Sequence, residues 1–237
     1  MIDLYVFTAK PGLPYDPLSI YLESFLNASQ IPFQTYHSDD FSSKLHLPYI
    51  RENHVNISET GFIINYLEEK VEFDFDGHLD ELMKATHFAF EQLLLTQFSD
   101  LLAMAFWLDD HNVNQIKSIL NKETPPPLVA LKIRKIQKAI SQRLNLRADW
   151  QLEFKHRLIQ GKKTLSHLSE LLSERQWFGG LYLSKLDLIV YACLKSLLLD
   201  DFKGELHDAL KTHPNLIYHN KRVSLLFSEL ADASSIK

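Results

Sequence analysis

Three short stretches carry residues whose types and spacing could do chemistry. Glu59-Thr60 stands just before the apolar run Phe62-Ile63-Ile64-Asn65-Tyr66-Leu67 and reads as a helix start. Such a start presents unpaired backbone N–H groups and the positive end of the helix dipole, so it can hold a carboxylate, with the Thr60 hydroxyl adding a donor and Glu59 taking an amine. The same physics also allows Ser58 or Thr60 to be a plain N-cap and Glu59 a first-turn acid. Upstream, Leu47-Pro48-Tyr49-Ile50 reads as a short strand opening on proline. Were Pro48 cis, the Leu47 backbone would face outward and a peptide could pair with it as an added strand. X-Pro bonds are cis only about 5–6% of the time, and a trans proline on an edge strand is ordinary. The third stretch, Tyr15-Asp16-Pro17-Leu18-Ser19, is a second helix start that brings two hydroxyls together. Ser19 in a first turn can simply satisfy backbone, and Tyr15 can be a loop anchor.

Other reactive residue types do not form constellations. Cys193 lies mid-helix, where a cysteine is most often a small buried hydrophobe. The eleven histidines lack metal-ligand spacing, so no metal is predicted. Phosphate-binding glycine loops and a nucleophile elbow are absent.

The elements that must position these residues follow from pattern. Ile2 to Phe7 predicts a strand, Asp16-Pro17 an N-cap with proline at the first helical position, and the alternation over 31–37 a second strand. The proline strand then leads through a hairpin at Arg51-Glu52-Asn53-His54 to Val55-Asn56-Ile57 and a helix from about Thr60 to Lys70. Beyond residue 80 only long amphipathic helical segments occur. Leu82, Thr86, Ala89, Phe90, Leu93, Leu94, Phe98, Leu101 and Leu102 trace one face, and Val129, Ile133, Ile136, Ile140 and Leu144 another. Pro125-Pro126-Pro127 predicts a rigid connection outside any helix. A helix over 148–172 is expected to be interrupted near Gly161, Ser184-x-x-Asp187 has capping-box spacing, and His213-Pro214 marks a boundary. The order is β-α-β-β-β-α over residues 1–72, a thioredoxin-like α/β domain, then an all-α helical bundle over 78–237, joined by a charged segment.

Bulk properties bound the function. The 237 residues are 46% hydrophobic, enough for a substantial core, and the net charge of -5 gives no reason to expect nucleic acid as partner. A lone cysteine and a start without a secretory pattern point to the cytoplasm. The apolar stretches at 101–108 and 181–199 are too short or too interrupted to span a membrane, so no integral membrane segment is expected. Ten Lys/Arg against two acids make 131–163 basic. An anionic partner is one reading; the other, which the geometry of a helix favours, is a solvated face opposite Ile133, Ile136 and Ile140, with Lys132, Lys135 and Arg143 toward water.

Taken together, the Leu47-Pro48 corner, Glu59-Thr60, the strand order and the Ser184-x-x-Asp187 box resemble the glutathione S-transferase superfamily. Asp74-Phe75-Asp76-Gly77-His78-Leu79, Phe106-Trp107, Trp177-Phe178-Gly179-Gly180 and His213-Pro214-Asn215-Leu216 look most like its branch of failed-axon-connections and metaxin-like proteins. The resemblance implies a cis Pro48 and a glutathione site in which Leu47 and Pro48 hold the cysteinyl part, Thr60 the γ-glutamyl carboxylate and Glu59 the amine. It further implies glutathione as co-substrate, a small hydrophobic electrophile as second substrate, and a possible homodimer. The group that activates the thiol is expected near the first helix, where relatives show Ser-Pro-Phe-Cys and this chain has Asp16-Pro17-Leu18-Ser19. A carboxylate beside a thiol raises its pKa, opposite to what transfer chemistry needs. That leaves Ser19 and Tyr15 as the catalytic candidates, and makes a non-catalytic protein-interaction module of metaxin-like type the alternative. A thiol oxidoreductase using its own cysteine conflicts with the lack of any cysteine near the first helix.

Overall fold

The computed structural model describes residues 1–7, 13–14, 16–38, 47–71, 73–146, 150–199 and 202–234. Its N-terminal part is a four-stranded mixed sheet: β1 (Ile2–Phe7), β2 (Phe33–Ser38), β3 (Tyr49–Glu52) and β4 (Val55–Ser58), in the order β2-β1-β3-β4. β1 and β2 are parallel, which requires a crossover, and α1 (Pro17–Ala28) supplies it; β3 runs antiparallel to β1 and to β4. Strand alternation divides the faces. Ile2, Leu4 and Val6 are buried, while Tyr36, Tyr5 and Tyr49 line up across three strands on the other face, with ring centroids 5.0 and 4.5 Å apart. The β3–β4 turn is tighter than its sequence suggests. Arg51 and Glu52 belong to β3, and only Asn53 (φ 48°) and His54 (φ 65°) make the turn, both in the left-handed region that a two-residue hairpin loop of this hand requires. After β4 comes α2 (Thr60–Glu68).

The helical part comprises α3 (Glu81–Leu93), a π-helical turn (Leu94–Phe98), α4 (Ser99–Trp107), α5 (Asp110–Leu120), α6 (Pro126–Arg143), α7 (Trp150–Leu172), α8 (Lys185–Leu197), α9 (Glu205–Lys211) and α10 (Pro214–Ser234). The fold is therefore a thioredoxin-like sheet domain followed by a helical one, the expected architecture. Among the described residues no helix is long and apolar enough to cross a membrane. The apolar stretch around α8 is instead the core: Leu186, Leu188, Ile189, Val190, Ala192 and Cys193 are wholly buried.

Two helix expectations are corrected. Pro126 and Pro127 lie inside the first turn of α6, where the N–H groups that proline lacks have no intrahelical acceptor anyway. Helix α7 runs unbroken through Gly161, because this glycine is a packing site. A Cβ there would come within 2.4 Å of a Leu101 methyl and 3.0 Å of a Leu206 methyl, so its absence lets α7 approach α4 and α9. The face expected for the helix after residue 80 also shifts. Leu82 is 77% exposed, whereas His87 and Glu91 are buried with Leu94, Phe98, Leu101 and Leu102.

What orders the bundle is the Asp187 carboxylate, itself fully buried. It accepts from the Ser184 backbone N–H (2.8 Å) and hydroxyl (2.6 Å), completing the expected capping box, and also from the Phe178 N–H (2.8 Å) and His219 Nε2 (2.7 Å). A carboxylate can only accept, so His219 carries its proton on Nε2. One side chain thus caps α8, anchors the preceding loop and ties down α10. Asp187→Ala strands all these donors in a dry interior, and its expected cost is about 3–5 kcal/mol in urea-denaturation stability.

Candidate functional site

The strand registers decide which residues meet. Pairing of Tyr49 with Ser58 places Pro48 across from Glu59, and pairing of Tyr5 with Tyr49 brings the C-terminal end of β1 to the same edge. Helix α1 starts from that end of β1. Leu47, Pro48, Glu59, Thr60, Asp16 and Ser19 therefore gather at one end of the sheet. Tyr15 lies outside the described residues. The Leu47–Pro48 bond is cis, as the resemblance implies. Pro48 is buried, Leu47 half-buried, and Leu47 falls beyond the last paired residue of β3, so its backbone is not part of the sheet ladder.

The start of α2 is distinctive. Glu59 occupies the N-cap position with φ 73° and ψ 116°, an uncommon conformation for a residue with a Cβ, and no side chain caps the helix. The reading of Ser58 as a plain cap does not hold. By contrast, α1, α3 and α5 are each capped by an aspartate, Asp16, Asp80 and Asp109. Thr60 is 5% exposed, while the Glu59 side chain faces solvent. An uncapped helix start beside an unpaired strand end can hold a carboxylate and a peptide backbone together.

Across the corner, at α1, one of the two candidate hydroxyls is already engaged. The Ser19 backbone N–H (2.9 Å) and hydroxyl (2.6 Å) both donate to Asp16 Oδ2. In this arrangement the Ser19 proton is directed at Asp16. Burial pushes the Asp16 carboxyl above its ordinary pKa, against the lowering effect of the Ser19 hydrogen bonds and of Arg143. Arg143 is exposed, as expected, and donates to Asp100 at 3.0 Å, and burial raises the Asp100 pKa as well. Cys193 is fully buried, and burial together with the nearby Asp16 charge pushes its thiol pKa up, so it is no nucleophile.

Sequence reasoning missed the polar cluster where the two domains meet. The Tyr21 hydroxyl of α1 donates to Glu91 of α3 at 2.5 Å. Lys185, the first residue of α8, donates through Nζ to Glu68 of α2 (2.5 Å) and through its backbone N–H to Asp76 of the linker (3.1 Å). Glu68, Asp76, Glu91 and Lys185 line a cleft of about 490 Å³ whose rim carries the exposed Phe73 and Phe88. No sequence signal pointed to it, because the apolar stripe expected for this helix leaves Glu91 off its face.

A thioredoxin-like domain with a cis-proline corner, joined to a helical domain whose central helix opens on a capping box, defines the glutathione transferase class. The chain belongs to that superfamily: residues 17–112 match its N-terminal domain and 161–223 its C-terminal domain, together more than half of the chain. Solved structures agree at the level of fold. A glutathione S-transferase from Methylobacterium radiotolerans, in complex with glutathione sulfonate, shares 15% identity over 94% of this chain and 89% of its own, with TM-score 0.59. The β-etherase LigF from Sphingobium shares 16% over 98% and 99%, with TM-score 0.62. A Pseudomonas fluorescens family member with two glutathione molecules bound shares 13% over 93% and 87%, with TM-score 0.57.

Burial raises the Glu91 pKa from its ordinary 4.5, although the Tyr21 bond and Lys185 oppose the shift. Between 4.5 and the raised folded value the folded state holds more protons than the unfolded one, so this group's contribution to stability is lost as pH rises through that window. Glu91→Gln keeps an acceptor for Tyr21 and cannot ionise. Its stability relative to the parent is expected to rise with pH through the window and then level off, as read from urea midpoints across pH.

Proposed function

We propose that this protein binds glutathione at the cis-proline corner. The observation that carries the reading is the α2 start, with Glu59 strained and no side chain capping the helix, set beside the Leu47–Pro48 turn. The γ-glutamyl carboxylate takes the place of the missing cap at Thr60 and the following N–H groups, Glu59 pairs with the ligand amine, and the cysteinyl backbone pairs with Leu47. The glutathione ligands present in related structures support this assignment.

Conjugation of the bound thiol to a small hydrophobic electrophile is the chemistry such a site serves. The thiol gives up its proton, the sulfur attacks the electrophile, and the leaving group departs. Here the Asp16 charge opposes thiolate formation and the Ser19 hydroxyl is directed at Asp16, which leaves Tyr15 as the other candidate hydroxyl. A second reading, a protein-binding member of the metaxin-like branch without catalysis, is favoured by the Asp16–Ser19 engagement.

Calorimetry with millimolar glutathione is expected to show binding, and Thr60→Ala to weaken it by about 1.5–3 kcal/mol, the range for a hydrogen bond to a charged group. No heat of binding in the parent protein sinks the assignment, and an unchanged affinity removes Thr60 from it. Asp16→Ser keeps an N-cap residue while removing the charge. It is expected to lower the pKa of the bound thiol, followed by thiolate absorbance, and to raise turnover of an aryl halide. A parent enzyme that already turns over rapidly, through Tyr15 or Ser19, excludes the non-catalytic reading.

A further inference from the structure

A second cavity lies wholly inside the helical domain, with no wall from the sheet domain or the glutathione corner. Its volume is about 160 Å³; Phe106, Phe154, Leu158, Leu197, Phe202 and Leu206 are its apolar walls, and Asp109, Lys203 and Glu205 also border it. This is close to the size at which an engineered apolar cavity in another protein takes up benzene.

The lining is not purely apolar. Asn112, only 4% exposed, donates through Nδ2 to the Ala105 carbonyl (2.9 Å) and the Lys203 carbonyl (3.2 Å). Two carbonyl acceptors fix which end of the amide is nitrogen, so the other end is the oxygen. That Oδ1 is buried and has no hydrogen-bond partner among the described residues, whereas the Nδ1 of His207, which also lines the cavity, lies 3.6 Å from an Asp208 carboxylate oxygen. A buried amide oxygen without a donor is costly, and groups of this kind in native structures are otherwise paired.

We propose that this cavity is a ligand site for a neutral molecule about the size of one aromatic ring that carries a single O–H or N–H donor, the donor meeting Asn112 Oδ1 and the ring filling the apolar walls. Phenol is the simplest such molecule and benzene its donor-free counterpart. Occupancy holds the folded state, because the walls come from α4, α5, α7, α8 and α9 at once. The site acts independently of glutathione.

The test uses the full chain without glutathione. Titration followed by NMR is expected to show phenol binding about five-fold tighter than benzene, the ratio given by one net hydrogen bond. Intermolecular NOEs should run from the phenol ring to methyl groups of Leu158, Leu197 and Leu206. Ala105→Leu places a larger side chain on the cavity wall, and is expected to abolish phenol binding while leaving glutathione affinity unchanged. Equal affinity for phenol and benzene overturns the role of Asn112. Absence of NOEs to those methyls in the parent protein, with Asn112 hydrated by water alone, overturns the site whether or not the variant folds.

Discussion

The buried carboxylate of Asp187 is the fixed point from which the rest of the molecule is placed. Burying a charge is tolerable only when donors replace the lost water, and here backbone, hydroxyl and imidazole donors together do so. Because those donors come from the α8 start, the Phe178 loop and α10, no one of them can move alone. Helix α8 held in this way sets the position of Lys185, which reaches across to α2 and the linker, and of Cys193, which lies close beneath Asp16. The position of the cis-proline corner relative to the helical domain is thus tied, through Lys185 and α8, to the Asp187 side chain.

Against that rigid background, the two helix starts at the corner are treated in opposite ways. At α1 the chain satisfies itself: Asp16 caps the helix and takes up the Ser19 hydroxyl. At α2 it does not, leaving a strained residue and open N–H groups. Local stability and local function compete for the same orphan donors, and each terminus resolves the competition once. On the proposed reading, a corner with one helix start open and the other closed is suited to holding a ligand more than to transforming it.

Much of this was legible in the sequence wherever the physics is local. Asp16-Pro17 and Ser184-x-x-Asp187 could be read because an N-cap and its helix lie within four residues of each other. The strand order followed from alternation and turn residues. What stayed hidden depends on distant partners. Nothing near His219 announces Asp187, and nothing near Tyr21 announces Glu91. Gly161 looked like a break because the methyl groups that crowd it belong to Leu101 and Leu206. The prolines of α6 read as a break because only a residue or two separates a position that stops a helix from one that starts it. Ser19 reads in the sequence as a hydroxyl able to satisfy backbone, whereas its bond to the Asp16 carboxylate is visible only in the geometry.

The pairing of α1 with α8 is the most extensive helix contact that α1 makes, and it has a consequence for how the protein is made. A ribosome delivers β1, α1 and β2 early, yet the helix that covers α1 begins only at Lys185. Until then Tyr21, Phe25 and their neighbours emerge with part of their cover still untranslated. The sheet domain, though first in order, completes the cover of α1 only once α8 is made, and a chain ending before α8 leaves that apolar face of α1 without its main partner.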